Sequence, residues 1–190
     1  MKKKIRTAAQ VKSLFDRLAA DIRKTVKEPR ADWVFVGIQR RGVPLARRLS
    51  ALLAAPGGPA AVGTLDITFY RDDSQAVPLH PVVHDTELPF DVTGKTVFIV
   101  DDVLFTGRTV RCALDELMDF GRPRRVYLGV LIDRGHRELP IQADFVGEAL
   151  RTDCDETIDV HLRETDGEDA VWRSGRPEKP ASKRKTEVAR

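Results

Sequence analysis

Apolar residues recur along this chain in two rhythms, and the alternation between them outlines an α/β protein. Val11, Leu14, Phe15, Leu18, Ala19 and Ile22 repeat at helical spacing behind Thr7-Ala8-Ala9-Gln10, which has the form of a capping box. Pro29 closes that region. Trp33 to Ile38, WVFVGI, is apolar throughout and predicts a strand buried on both faces. Pro44 then stands at an expected helix N1 position before the helix LARRLSALL. Between Val62 and Tyr70, Leu65, Ile67 and Phe69 alternate with Asp66, Thr68 and Tyr70, the period of a strand. Thr96 to Val100 predicts a further buried strand, followed by a helix with Val110, Ala113, Leu114 and Leu117 on one face. Gly121 stops that helix and Pro123 follows. Val126 to Ile132, VYLGVLI, predicts another buried strand. Thr157 to Leu162 and Ala170 to Trp172, joined around Asp166-Gly167, predict a closing hairpin. Buried strands alternating with helices imply a mainly parallel sheet, whose ligands sit at the C-terminal ends of the strands.

The chemistry concentrates at one such end. Directly after Thr96 to Val100 come Asp101 and Asp102, and Thr106-Gly107 then turns into the helix. Backbone N–H groups of Gly107, Arg108 and Thr109 at a helix start suit one phosphate, assisted by the helix dipole and the Thr hydroxyls. The two acids cannot share that phosphate. They must face a hydrogen-bond donor or a cation, such as a ribose diol or Mg²⁺. A second strand–loop–helix unit has a basic loop, Gln39-Arg40-Arg41-Gly42-Val43, in which Gly42 admits an anion and the guanidinium groups neutralise it. One loop therefore suits a monophosphate and the other a pyrophosphate. From Arg71-Asp72-Asp73 to Gly94 the chain is irregular, including His80 and His84, and a stretch of that length in a compact domain is expected to be functional or mobile.

Composition sets bounds on this reading. A hydrophobic content of 42% with 32% charged residues is ordinary for one well-buried domain of 190 residues. No stretch approaches the ~18 apolar residues of a membrane span. Lys2, Lys3 and Lys4 have no apolar run behind them, so no secretory signal is expected. Cys112 and Cys154 fit no metal or redox spacing, and Cys112 is expected to be a small buried side chain. The expected location is the reducing cytoplasm. From Arg173 onward seven basic residues and two acids give +5, so the net +3 of the chain leaves −2 for the rest. The expected organisation is thus one domain over residues 1–172 and a basic, disordered tail over 173–190. An acidic body argues against broad nucleic-acid binding.

The string from Thr96 to Phe120 resembles the phosphoribosyl pyrophosphate (PRPP) motif of type I phosphoribosyltransferases: apolar strand, two acids, short spacer, Thr-Gly. DITFYRDD, VDDVLFTGRT, FGRPRRVYLGVLIDRGHRELPI and ADFVG together look like the bifunctional pyrimidine-operon attenuator and uracil phosphoribosyltransferase family, over Val34 to Trp172. The resemblance implies a parallel sheet flanked by helices with a small hood, homodimers or larger assemblies, and synthesis of UMP from uracil and Mg-PRPP. It implies that Asp101 and Asp102 hold the ribose hydroxyls, while Val103, Leu104, Phe105, Thr106, Gly107, Arg108 and Thr109 surround the 5′-phosphate. Arg40, Arg41 and Gly42 would take the pyrophosphate, Arg71 would join the acids in catalysis, and Arg134 would contact the nucleotide. The stretch before the PRPP strand would close over the site, and Mg²⁺ would be carried mainly by PRPP rather than by protein ligands. His136 would act near the base or order its loop. Purine enzymes of this type place an acid just before Thr-Gly; here Phe105, which cannot exchange a proton, argues for a pyrimidine. Many members also bind pyr messenger RNA with UMP. Two basic positions that serve that role in the family are Gln142 and Glu148 here, which weakens the expected RNA contact, since a carboxylate repels phosphate.

Overall fold

The computed structural model describes residues 2–67 and 86–175. Eight strands and four helices follow in the order β1 (Lys2–Arg6), α1 (Ala8–Thr25), β2 (Trp33–Ile38), α2 (Gly42–Leu52), β3 (Ala61–Leu65), β4 (Thr96–Leu104), α3 (Arg108–Asp119), β5 (Arg125–Asp133), β6 (Phe145–Ala149), β7 (Thr157–His161), α4 (Arg163–Asp166) and β8 (Ala170–Ser174). Five strands make a parallel sheet in the order β3-β2-β4-β5-β6, and β1-β8-β7 form a second, antiparallel sheet, the hood.

The parallel sheet is buried on both faces because its strands alternate between two cores. Phe98 and Val100 of β4 join the side chains of α1 and α2, whereas Val97 and Ile99 join those of α3. Phe98 anchors the first core, stacking on Phe35 at 4.7 Å and Tyr127 at 5.5 Å with Trp33 edge-on at 5.0 Å. The helix α1 starts where the capping residues foretell, with the Thr7 N–H donating to Gln10 Oε1 at 2.9 Å.

Several expectations are corrected. The strand carrying the acids continues through them to Leu104, because Asp101 and Val103 stay in register with Val130 and Ile132 of β5. The helix α2 begins at Gly42, two residues before Pro44, and a proline in a first turn costs no hydrogen bond. The alternating strand is ordered as β3 only to Leu65; its continuation over 68–70 lies outside the described residues, as do Arg71, His80 and His84 and most of the stretch expected to close over the site. Its far end returns beside β3, where Thr64 and Glu87 exchange backbone hydrogen bonds. Cys112 is half-buried rather than buried, at the rim of the α3 face.

Two strands have no apolar rhythm of their own. β1, KKKIR, pairs with β8, and Lys2 and Lys4 lie over the Trp172 ring while pairing with Asp159 and Glu168. β6 is short and interrupted by Gly147, where a Cβ would stand 2.6 Å from the Leu131 carbonyl oxygen. The expected hairpin is present as β7 and β8, with α4 and Gly167 between them. β8 runs through Arg173 to Ser174, and Arg173 pairs with Glu156.

Candidate functional site

β4 is the middle strand of the parallel sheet, and with β5 it is the longest at nine residues. Its C-terminal end therefore runs on past β2, in register with β5 to Leu104, and opens under the hood. Asp101 and Asp102 are 3% and 9% exposed. Their conformations are set locally, since Asp101 Oδ1 accepts the Asp102 N–H and Asp102 Oδ1 accepts the Val103 N–H, each at 2.9 Å. Gly107 adopts φ +95°, a left-handed conformation that favours glycine, and caps α3; a Cβ there would also press on Ile141 at 3.3 Å. Thr106 is held beside it. Its hydroxyl accepts the Arg108 N–H at 3.3 Å, and its carbonyl accepts the N–H groups of Glu138 and Leu139.

A cavity of about 320 Å³ gathers these pieces. Asp101, Asp102, Val103, Leu104, Phe105, Thr106, Gly107, Thr109, Arg41 and Arg134 all line it. Three expected site residues stand apart. Arg40 is exposed after a cis Gln39–Arg40 peptide. The Arg108 side chain turns out to Glu138 at 2.8 Å, so only its backbone belongs to the loop. Gly42 lies behind the wall, where a Cβ would be 2.3 Å from the Val100 carbonyl oxygen; its absence lets the start of α2 press against β4.

The basic loop meets the acids through Arg41. Its Nε and Nη2 bond both oxygens of Asp166 at 3.0 and 2.9 Å, while Nη1 lies 3.1 Å from Asp159 and 3.9 Å from Asp102. These carboxylates raise the Arg41 pKa, Asp166 most of all. Arg41 in turn holds Asp166 well below the usual carboxylate range. Asp159 is also lowered: burial opposes this, but Lys2, His161 and Arg41 outweigh it.

Arg134 is buried and lies over the Phe105 ring at 4.0 Å, reaching Thr152 Oγ1 and the Asp153 carbonyl. His136 orders this corner: Nε2 lies 2.7 Å from the Thr152 carbonyl, joining the loop after β5 to the loop after β6. Arg137 adds hydrogen bonds to the carbonyls of Phe105 and Ile141.

Sequence reasoning missed the far wall, Cys154 to Asp159, which the hood brings over the cavity. Its only signal was a run of acids ahead of a strand, and nothing local says that such a run faces β4. The cavity is consequently acid-rich, with Asp101, Asp102, Asp155, Glu156 and Asp159 against Arg41 and Arg134. A bare polyphosphate would be repelled, whereas one carrying its own divalent cation suits the wall. Among the described residues no group of three or more His, Cys, Asp or Glu could hold a metal by itself, and no helix is long and apolar enough to cross a membrane.

A family model described as a phosphoribosyl transferase domain matches residues 2–161. The chain is 54% identical over 170 residues to the bifunctional protein PyrR of Chloroflexus aurantiacus, covering 89% of this chain and 93% of that one. It is 46% identical over 172 residues to the protein of the same name from Elusimicrobium minutum, covering 90% and 96%. Among solved structures it is similar to a hypoxanthine-guanine phosphoribosyltransferase from Bacillus anthracis, with a TM-score of 0.68, 18% identity and coverage of 90% and 97%. A hypoxanthine phosphoribosyltransferase from Staphylococcus aureus gives 0.65, 20% and 93% of each chain. At such identities these structures speak for the type I fold alone.

Proposed function

The chain belongs to the phosphoribosyltransferase family of PyrR proteins, and from that premise we propose that it joins uracil to PRPP, giving UMP and pyrophosphate. The observation that carries this reading is the opening of two buried carboxylates and the N-terminus of α3 onto one cavity. Asp101 and Asp102 accept hydrogen bonds from the ribose 2′- and 3′-hydroxyls. Gly107 and Thr109 take the 5′-phosphate at the helix start. Arg41, whose Nη1 end faces the cavity side, takes the pyrophosphate, together with Arg71. Mg²⁺ brought in with PRPP would supply positive charge to the leaving pyrophosphate, with Arg41 beside it. Catalysis is then positioning plus electrostatics: fixed carboxylates face a ribose that becomes cationic as the pyrophosphate departs.

Phe105 and Arg134 favour uracil. The position before Thr106-Gly107 carries a ring instead of an acid, so no carboxylate there can take the proton of a purine nitrogen, whereas the acidic uracil N1–H can give its proton to water or to the departing pyrophosphate without a strong dedicated base. Arg134, stacked on that ring, offers donors to a pyrimidine carbonyl. UMP formation from uracil and PRPP with Mg²⁺ tests the reading against hypoxanthine and orotate as competitors. Turnover is expected with uracil; product from either competitor alone, or none from uracil, would overturn it.

The bifunctional name of the relatives favours a second activity, UMP-dependent binding of pyr leader RNA, in which the same site senses UMP or PRPP. Gln142 and Glu148 weaken that contact in this chain. The two readings part in a gel shift with a pyr leader RNA, with and without UMP. A homodimer or larger assembly and a cytoplasmic location complete the proposal.

A further inference from the structure

Two arginines of the α2 unit reach from the parallel sheet to the hood, and they end on different carboxylates. Arg48 bonds Glu164 and Asp169. Arg41 bonds Asp166 through the Nε–Nη2 edge of its guanidinium. Asp166 is itself fixed, because Oδ2 also accepts the Leu162 N–H at 2.9 Å and the Thr165 hydroxyl at 2.7 Å. Its side chain is 14% exposed and stands outside the cavity lining. Arg41 does line the cavity, and its Nη1 lies between Asp159 and Asp102.

From this we infer that Asp166 is the positioning residue of the pyrophosphate loop: it grips one edge of Arg41 so that the opposite edge is presented to the diphosphate of PRPP. The inference rests on the proposed reading of the site and assigns to the hood a part in substrate binding that its sequence does not announce. A long arginine side chain free in a cleft loses rotamer entropy when it closes on an anion. One already held by a bidentate carboxylate loses much less, and its remaining donors stay aligned with the ligand. Arg48 supplies the control. Its pairs with Glu164 and Asp169 tie the same helix to the same hood segment, yet Arg48 does not line the cavity. Loss of hood anchoring alone must therefore show equally in both clamps, whereas loss of Arg41 alignment shows in one.

The experiment compares Asp166→Asn with Asp169→Asn in the full chain, reading KM for PRPP, KM for uracil, kcat and Tm. Asp166→Asn is expected to raise KM for PRPP about tenfold, the scale of one charge-assisted hydrogen bond, with KM for uracil within about twofold, and Asp166→Glu recovers part of the loss. Asp169→Asn is expected to lower Tm while leaving KM for PRPP in place. If both variants shift KM for PRPP alike, or neither does, Asp166 is only a hood anchor. Should Asp166→Asn fail to fold, Arg41→Lys keeps the charge without the fork and must show the same selective PRPP defect; an unchanged KM for PRPP overturns the inference. Calorimetric titration with Mg-pyrophosphate separates this result from the function itself. A chain inactive on uracil that binds pyrophosphate through Asp166 refutes the uracil reading alone, and one that binds neither pyrophosphate nor PRPP refutes both.

Discussion

At the scale of single residues, Asp101→Asn separates chemistry from folding. Asp101 Oδ1 accepts the neighbouring Asp102 N–H at 2.9 Å, and asparagine keeps that acceptor at nearly the same volume. What it loses is a negative charge in a site that is 3% exposed, where charge is weakly screened. The expected result is a fall in kcat for UMP formation of roughly 10²–10³-fold, the range for one preorganised electrostatic group, with circular dichroism and Tm near wild type. A collapse of Tm alongside activity would make Asp101 a folding residue instead. Phe105 shows how a single position carries different information in sequence and in space. In the string it is the missing acid of a purine enzyme; in the fold it is also the platform under Arg134.

At the scale of elements, what was legible in the sequence was whatever an element's own side chains dictate. WVFVGI became β2 with its bounds intact, and VYLGVLI became β5 with one more residue at each end, because both strands are buried on two faces by their own apolar runs. Between Asp101 and Thr109 only the local part was legible, the turn at Gly107 into α3; the strand's continuation to Leu104 rests on β5, and Thr106 is held from Glu138 and Leu139. β1, β6 and the cavity wall from Cys154 to Asp159 were not, since each exists through partners elsewhere: β8 for β1, β5 for β6, and β4 across the cleft for the wall. The ion pairs that fasten the hood were equally hidden, spanning 116 to 125 residues. They carry a pH signature. Glu164, Asp166 and Asp169 all titrate below their ordinary values: Arg41 is the main cause for Asp166, and Arg48 for Glu164, while burial opposes the shift at Asp169 and Arg48 outweighs it. Because the folded values are depressed, this stability is fully present above the ordinary carboxylate range near pH ~4 and is lost as pH falls further. Tm is therefore expected to stay level from about pH 8 to 5 and to drop below about 4. In Arg48→Met, where Glu164 and Asp169 lose their partner, that acid loss becomes shallower. Parallel slopes for the two proteins would exclude Arg48 as the source.

At the scale of the whole molecule, ion pairs among the described residues tie the parallel sheet to the hood: Arg41 to Asp166 and Asp159, Arg48 to Glu164 and Asp169, and Arg6 to Glu148. The third tie reinterprets a departure in sequence. By the resemblance drawn from the sequence, Glu148 replaces an expected basic residue, and by itself it reads as an obstacle to RNA. In the fold it sits on β6 and bonds the guanidinium of Arg6, the last residue of β1, through both carboxylate oxygens, with Arg6 raised in pKa by that bond above all. Restoring the basic residue alone would set a lysine against Arg6 in a half-buried site. Glu148→Lys should cost about 1–3 kcal/mol, visible as a Tm lower by several degrees at about 2–4 °C per kcal/mol for a chain of this size. The double variant Arg6→Glu with Glu148→Lys re-forms the pair in reverse and should recover most of that loss, a coupling that two independent surface charges would not show. The same double variant asks what the exchange does to RNA. If Glu148 obstructs a phosphate, affinity for a pyr leader RNA in the presence of UMP should rise over wild type, with a steeper salt dependence. Unchanged affinity with restored stability would make the carboxylate at 148 a structural exchange that bears on how the two sheets are joined and not on what they bind.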